Sequence, residues 1–154
     1  MGMETIAIGC DEAAYNLKVA IIKHLGTLGI RCDDFGAAAG EVILYPDVAF
    51  KVADAVAAGK YKRAILVCGT GLGMCICANK VPGVRAAVCH DPFSAERARM
   101  SNNAQILCMG ERVIGVELAK KIVDIWLAAE FSEKSHSQPK VQRIAELEQE
   151  HCKR

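Results

Sequence analysis

The segment with the clearest chemical potential is a cysteine that leads into a glycine-rich loop. Residues 68–73 read Cys-Gly-Thr-Gly-Leu-Gly and follow the apolar run 64–67. Three glycines in five positions allow backbone N–H groups to approach an anion or a developing oxyanion. The spacing differs from the G-x-G-x-x-G of dinucleotide binders and lacks the Gly-Lys-Ser/Thr of a P-loop. The loop therefore indicates an anion-binding turn without a nucleotide motif, although a plain tight turn would use the same glycines.

Cys68 closes an expected strand, and a helix is expected to begin a few residues later. A cysteine near a helix start is favoured as thiolate, which can act as a base or as a nucleophile. A cysteine that closes an apolar run can equally be a small buried core residue, and the pattern leaves both interpretations open. Thr70 could donate a hydrogen bond to a ligand oxygen or cap the helix that follows.

Polar residues also follow the first and fourth expected strands. Asp11 could bind ligand hydroxyl groups, but capping of the first helix is the commoner role of a lone aspartate. Asp91 and Pro92 indicate the start of a helix, so we expect the preceding His90 at the rim of a site at most. Cations that could hold a phosphate are Arg97, Arg99, Arg112, Lys134, His136, Lys140 and Arg143. Most charged side chains lie on solvated surface, so each of these cations is weak evidence alone.

The elements that would position these residues alternate between apolar runs and amphipathic stretches. Strands are expected at 5–9, 30–35, 63–67, 84–89 and 105–109, and helices at 16–28, 45–59, 74–80, 92–100, 115–129 and 140–152. Short uninterrupted apolar strands indicate a parallel sheet that is covered on both faces, with right-handed crossovers. We therefore expect an α/β fold of the flavodoxin-like, Rossmann-type class, a doubly wound five-stranded parallel sheet in three α/β/α layers with an extra C-terminal helix. The expected strand order is 2-1-3-4-5, which places a ligand site at the carboxyl ends of strands 1 and 3.

Length, charge and cysteine usage set the class of protein. The 154 residues predict one domain, 1–154, with an α/β core at 1–131 and a tail with the last helix at 132–154. The net charge of +1 favours neither a nucleic-acid surface nor a polybasic membrane anchor. Without a signal peptide or a membrane-length apolar stretch, a cytoplasmic protein is expected. The eight cysteines are then expected as thiols, and their spacing does not suit a metal site, so we expect no metal and no cofactor.

Three motifs resemble a known family of enzymes. Residues 68–73, 78–86 and 110–115 are similar to ribose-5-phosphate isomerase B and its galactose-6-phosphate isomerase relatives, in register from about residue 6 to residue 131. The resemblance implies metal-free aldose–ketose isomerisation of a sugar phosphate through a cis-enediol. It also implies a homodimer, or a dimer of dimers, with sites between subunits.

The resemblance assigns roles to individual residues. It implies that Cys68 moves the proton between C1 and C2, because some relatives use a glutamate one residue after the loop and this chain has Met74 there. Asp11 would contact sugar hydroxyls, and Asn102 and Arg112 would come from the neighbouring subunit, Arg112 towards the phosphate. The enediolate oxygens would be held by Gly69, Thr70, Gly71 and Gly73.

The chain departs from the family in its polar residues. Glu12 and Ser101 stand where relatives carry histidines, and the Ser101 counterpart is thought to open a furanose ring. His136 and Lys140 replace tail residues that bind phosphate in relatives, which implies an altered phosphate site. Residues 94–97 and 101–106 resemble the branch that isomerises D-erythrulose 4-phosphate, a sugar that cannot close a furanose. We therefore favour this tetrose phosphate over ribose 5-phosphate as the substrate.

Two other classes of protein share features with this sequence. A phospho-receiver domain needs an aspartate at the end of strand 3, where this chain has Cys68. It also needs a lysine after strand 5, where this chain has Met109 and Gly110. A non-catalytic sugar-phosphate-binding subunit would have lost its base, whereas Cys68 and Thr70 are retained here. The site residues, rather than the fold, separate these interpretations.

Overall fold

A computed structural model describes residues 4–152 as a parallel sheet flanked by helices. The strands are β1 (Thr5–Cys10), β2 (Arg31–Asp34), β3 (Ala64–Cys68), β4 (Ala86–Val88) and β5 (Ile106–Gly110). The helices are α1 (Tyr15–Thr27), α2 (Tyr45–Ala57), α3 (Leu72–Ala78), α4 (Pro92–Met100), α5 (Val116–Ala128) and α6 (Gln138–Cys152), and a 3-10 turn spans Glu12–Ala14. The expected α/β class is confirmed, and the apolar periodicity located each element to within a few residues.

The strand order is β2-β1-β3-β5-β4, so the predicted order 2-1-3-4-5 is wrong for the last two strands. All strand pairs are parallel, and β5 lies between β3 and β4, with Val67 opposite Met109. Every residue of β5 is buried, whereas the three residues of β4 are half-buried. A short, half-buried strand suits the edge of a sheet and a fully buried one suits its interior. Because β5 neighbours β3, its carboxyl end reaches the glycine loop.

Two apolar layers cover the sheet. Helices α1, α4 and α5 pack on one face around the fully buried Trp126, and α2 and α3 pack on the other. Alternation along β3 directs Val67 to the first layer and Cys68 to the second. No residue of α6 is buried, so this helix stands on the surface. Within residues 4–152 none of the helices is long and apolar enough to cross a membrane.

Close packing of α2 on β1 fixes the start of α2 near the sheet's carboxyl edge. A Cβ placed on Gly9 would stand 2.5 Å from Val48 Cγ1, so only glycine permits this approach. Pro46 lies in the first turn of α2, where its missing N–H costs no helical hydrogen bond. The approach brings Tyr45, the first residue of α2, over the glycine loop.

Candidate active site

A cavity of about 400 Å³ opens at the carboxyl ends of β1, β3 and β5. Its lining residues are Asp11, Glu12, Ala13, Tyr45, Cys68, Gly69, Thr70, Gly73 and Arg112. Larger hollows of about 580 Å³ around Arg63 and about 530 Å³ beside β4 lie elsewhere. Volume therefore does not identify the site. The smaller cavity lies at the predicted edge of the sheet and holds the candidate base, so it is the candidate active site.

Cys68 is the last residue of β3 and is 5% exposed. The Gly71 N–H donates to its Sγ at 3.1 Å. The strand thus places the sulfur at the cavity, and the loop turns back so that a backbone N–H fixes its position there.

Gly71 has a backbone conformation that side chains rarely adopt. Its φ is +78°, and a Cβ there would stand 2.9 Å from the backbone carbon of Met109. Glycine is therefore required for the turn that directs the N–H at Cys68. The resemblance assigned this N–H to a substrate oxygen, whereas the structure engages it with the sulfur and buries Gly71 behind the cavity wall.

Thr70 and the start of α3 place possible hydrogen-bond donors beside the cavity. Thr70 Oγ1 accepts from the N–H of Leu72, the first residue of α3, at 3.3 Å, and Thr70 also lines the cavity. Its hydroxyl hydrogen stays free to donate to a ligand. The N–H of Gly73 belongs to the first turn of α3, where backbone donors have no carbonyl partner within the helix.

Asp11 and Glu12 form the side of the cavity beneath β1. Asp11 Oδ1 accepts from the Ala13 N–H at 3.1 Å, so Asp11 caps the 3-10 turn that precedes α1 rather than α1 itself, and its second carboxylate oxygen is left for a ligand. Burial raises the pKa of the Asp11 carboxyl. Glu12 is exposed, and its Oε2 accepts from the Ile43 N–H at 3.4 Å. Glu12 thereby ties the loop before α2 to the cavity.

Tyr45 is a cavity residue that the sequence interpretation missed. A Cβ on Gly73 would stand 2.6 Å from Tyr45 Cε2, so the ring packs directly over this glycine. The segment Tyr-Pro-Asp at 45–47 was interpreted only as a helix start. The aromatic residue beside that proline was the only sequence feature that could have suggested a cavity residue here. Its contact with Gly73 depends on how α2 crosses the sheet, which the sequence pattern does not show.

Arg112 lies beside the glycine loop of its own chain, whereas the resemblance implied that it would come from the neighbouring subunit. A Cβ on Gly69 would stand 3.4 Å from Arg112 Cζ. The Arg112 N–H donates to the Gly69 carbonyl at 3.0 Å, which extends the β3–β5 pairing beyond the strands. The predicted order 2-1-3-4-5 separates β5 from β3. The observed order makes them neighbours.

His90 supports the site from outside the cavity. Its Nε2 accepts from the Gly110 N–H at 2.9 Å, and burial lowers the pKa of the imidazole. A Cβ on Gly110 would stand 2.6 Å from Thr70 Cα, so this glycine lets the ends of β3 and β5 touch. His90 is thus a positioning residue for the loop rather than a rim residue.

Three residues assigned by resemblance lie outside this cavity within one chain. Asn102 lines the hollow beside β4, together with Ile144 and Glu148 of α6. His136 precedes α6 and Lys140 lies in its first turn, and both are exposed. Over residues 4–152 no cluster of three or more His, Cys, Asp or Glu side chains is arranged to hold a metal ion.

Comparisons with known proteins agree on one family. The family model described as Ribose/Galactose Isomerase matches residues 6–144. The D-erythrulose-4-phosphate isomerase of Pectobacterium atrosepticum is 54% identical over 147 residues, covering 95% of this chain and 96% of that protein. The Ribose-5-P isomerase B of Listeria innocua is 51% identical over 144 residues, covering 94% of this chain and 97% of that protein. The solved Clostridium thermocellum Ribose-5-Phosphate Isomerase B matches with a TM-score of 0.91 and 47% identity, over 96% of this chain and 99% of that chain.

Proposed function

Because this chain belongs to the ribose/galactose isomerase family, we propose that it uses Cys68 as its base and D-erythrulose 4-phosphate as its preferred substrate. The reaction class follows from the relatives: the chain is a sugar-phosphate aldose–ketose isomerase of the ribose-5-phosphate isomerase B type. The base and the sugar are the finer assignments, and the contacts around the cavity support them.

The proposed reaction moves one proton between C1 and C2 of an open-chain sugar. The Cys68 thiolate removes a proton from C1 of the ketose, and the electrons of the breaking C–H bond form a C1=C2 double bond while O2 becomes an oxyanion. A proton then passes from O1 to O2, and the thiol returns its proton to C2 to give the aldose. The thiolate is regenerated, and the step needs no metal or redox partner.

Developing charge on the sugar oxygens needs donors that are already in place. Thr70 and Gly73 line the same cavity as Cys68, and we assign the Thr70 hydroxyl and the Gly73 N–H as these donors. One such donor typically contributes about 10²–10³-fold to the rate. The second carboxylate oxygen of Asp11 can accept a hydrogen bond from a sugar hydroxyl. The Arg112 guanidinium supplies the positive charge that a phosphate requires. Each chemical need of the reaction therefore has a residue at the cavity.

The single observation that carries the choice of sugar is the serine at position 101. Ser101 stands where relatives carry the presumed ring-opening histidine, and among the described residues of one chain no histidine lines the cavity. A tetrose with phosphate on O4 cannot close a furanose, so it does not need this acid. The more similar of the two relatives described above is named for the same sugar. Ribose 5-phosphate is the second candidate, because the Listeria relative at 51% identity is named for it.

We also propose a homodimer whose sites contain residues of both subunits. Asn102, His136 and Lys140 lie outside the cavity of their own chain and are exposed, so a second subunit could bring them to it. Helix α3 exposes the apolar side chains of Leu72 and Ile76, by 57% and 61%, immediately after the glycine loop. Burying these two side chains would stabilise a subunit contact next to the site.

The decisive experiment compares kcat/KM on sugar phosphates of four, five and six carbons. We expect the tetrose 4-phosphate pair to give the highest value. Ser101→His should raise kcat/KM for ribose 5-phosphate selectively, by about 10²-fold if the imidazole acts as a positioned acid–base group. Ser101→Asn is the matched control, because it adds bulk without a titratable group. Wild-type turnover of ribose 5-phosphate as efficient as that of the tetrose would contradict the proposed substrate.

A further inference from the structure

The ammonium group of Lys18 lies inside the protein, and the proposed isomerisation does not use it. Lys18 belongs to α1 and is 1% exposed. Its Nζ donates to both carboxylate oxygens of Asp34, at 2.9 and 2.7 Å, and to the Ala37 carbonyl at 2.6 Å. The Tyr15 ring centroid lies 5.3 Å from the same nitrogen. All three hydrogens of the ammonium therefore have acceptors, which is the condition under which a buried charge is tolerated.

The segment that Lys18 holds, residues 34–37, is bonded in turn to the last residue of β1. The Ala37 N–H donates to Cys10 Sγ at 3.2 Å, and the Cys10 N–H donates to the Gly36 carbonyl. Ala37 and Cys10 are both fully buried. The position of segment 34–37 therefore sets the position of the end of β1.

Asp11 lies inside a closed circuit of chain and hydrogen bonds. It follows Cys10 directly, and its Oδ1 caps the 3-10 turn that leads into α1. Further along α1, Lys18 bonds to Ala37, and Ala37 bonds back to Cys10. The chain before Asp11 and the helix after it are thus tied to the same buried residue, Ala37. The carboxyl group enclosed by this circuit is one that lines the candidate active site.

We propose that Lys18 is a positioning residue for Asp11, the residue to which a sugar hydroxyl is assigned. Of the described residues that line the cavity, Asp11 is included and Lys18 is not, so the ammonium acts through Ala37 and Cys10. Without it, Ala37 and Asp34 lose their donor, and the end of β1 loses a fixed neighbour. The inference rests on the proposed contact between Asp11 and the sugar, and the experiment separates the two.

The helix that carries Lys18 has anchors of its own. Glu111 Oε2 accepts from the Leu17 N–H at 2.9 Å, and Leu17, Ile21 and Leu25 are buried in the first apolar layer. Removing the ammonium should therefore release segment 34–37 and leave α1 in place. Lys18→Met is the suitable change, because the flexible side chain of methionine fills irregular gaps in a core.

The first experiment is a double-mutant cycle, measured on whichever of D-erythrulose 4-phosphate and ribose 5-phosphate wild type converts better. Asp11→Ala should raise KM by at least about tenfold, the value of one hydrogen bond to a charged group. Lys18→Met should raise KM by at least about fivefold, because the same hydrogen bond is weakened. Added to Asp11→Ala, Lys18→Met should change kcat/KM by less than about twofold, since the contact is already lost. Lys23→Met is the matched control, an exposed lysine of the same helix, and should behave as wild type.

Three outcomes would count against the proposal. Equal effects of Lys18→Met with and without Asp11 would overturn the positioning role while leaving the sugar contact intact. A lower kcat at unchanged KM would overturn it too, because that is what a smaller fraction of folded enzyme produces. Wild-type kinetics of Asp11→Ala would overturn the sugar contact, and the positioning role with it.

Cys10 tests the same circuit without disturbing the buried charge, so it decides the matter should Lys18→Met fail to fold. Burial raises the pKa of Cys10 to about 11, so the residue is a neutral thiol near neutral pH. Cys10→Ser keeps an acceptor for the Ala37 N–H, whereas Cys10→Ala removes it. Cys10→Ala should raise KM by at least about threefold, and Cys10→Ser should stay near the wild-type value. Equal KM values for the two variants would overturn the circuit.

Discussion

At the residue scale, the local bonding of Cys68 decides what its sulfur can do. A core cysteine would be surrounded by apolar atoms alone, whereas this one borders a polar cavity and accepts a backbone N–H at 3.1 Å. Cys68→Ala should lower kcat/KM by about 10²–10⁴-fold, the usual contribution of a general base. Circular dichroism should stay native, because alanine keeps the Cβ that packs in the second layer.

Cys68→Ser is the sharper variant for the same prediction. It keeps the size and the hydrogen bond from Gly71, but a serine hydroxyl does not ionise near neutral pH, so activity should fall almost as far as in Cys68→Ala. Near-normal turnover by either variant would transfer the role of base to another cavity residue. The Asp11 carboxyl, whose pKa burial raises, would be the first to examine.

His90 predicts how stability depends on pH. Burial lowers the pKa of His90 in the folded protein, and its Nε2 needs to be unprotonated to accept from Gly110. The stability associated with the neutral imidazole is present above the unfolded pKa of about 6.5 and is lost as pH falls through the folded value.

His90→Gln isolates this contribution, because glutamine can accept a hydrogen bond but does not titrate. Urea unfolding at pH 7.5 and pH 5 should show a larger loss of free energy of unfolding for wild type than for His90→Gln. An equal loss would mean that other groups set the acid sensitivity. kcat should also fall more between pH 7.5 and pH 5 for wild type than for His90→Gln, because the backbone of Gly110 packs against that of Thr70.

At the scale of elements, the ends of β3 and β5 form one unit because two glycines let their backbones touch. Gly110→Ala would place a Cβ 2.6 Å from Thr70 Cα, where only backbone can give way. We expect a loss of about 1–3 kcal/mol of stability, typical of overpacking. The loss in kcat should be at least about tenfold, because Thr70 moves with the loop.

Gly115→Ala is the matched control for this change. Gly115 is the N-cap of α5 with φ −76°, and a Cβ there meets nothing within 4 Å. Its activity should stay near that of wild type. Thermal unfolding and steady-state kinetics of the two variants side by side measure both effects. Comparable kinetics for the two alanine variants would mean that the β3–β5 contact does not position the catalytic loop.

At the scale of the whole molecule, the proposed dimer can be tested by mixing inactive subunits. Cys68 and Arg112 line one cavity of one chain, whereas Asn102 would reach the cavity of its neighbour. Co-refolded Cys68→Ala and Asn102→Ala subunits should recover activity, up to about a quarter of the wild-type level, because half of the dimers are hybrids with one intact site.

Mixing Cys68→Ala with Arg112→Ala provides the negative control. Both changes fall in the same chain's cavity, so each hybrid contains two defective sites and activity should not return. Rescue by this mixture would mean that Arg112 acts in the neighbouring subunit. A fully active monomer in analytical ultracentrifugation would contradict the shared site altogether.

The sequence by itself determined the elements and the position of the main loop. Apolar periodicity is a local property, so it located the strands and helices, and helix α4 was predicted at its observed limits, 92–100. The glycines of segment 68–73 predicted a tight turn at the carboxyl edge of the sheet, where the structure has it, and its binding of an anion stays a prediction. The limits of the elements and of this turn could be predicted because they depend on neighbours along the chain.

Only the tertiary structure decided which ends of strands lie next to each other. The positions of β4 and β5 follow from the burial of whole strands against two layers, which no local pattern records. That order brings Arg112 to Gly69 and sets Gly110 against Thr70. Tyr45 reaches Gly73 only because Gly9 lets α2 lie close to β1. Contacts of this kind are set by packing between segments distant in sequence, so residue types and spacing could nominate the site but not complete it.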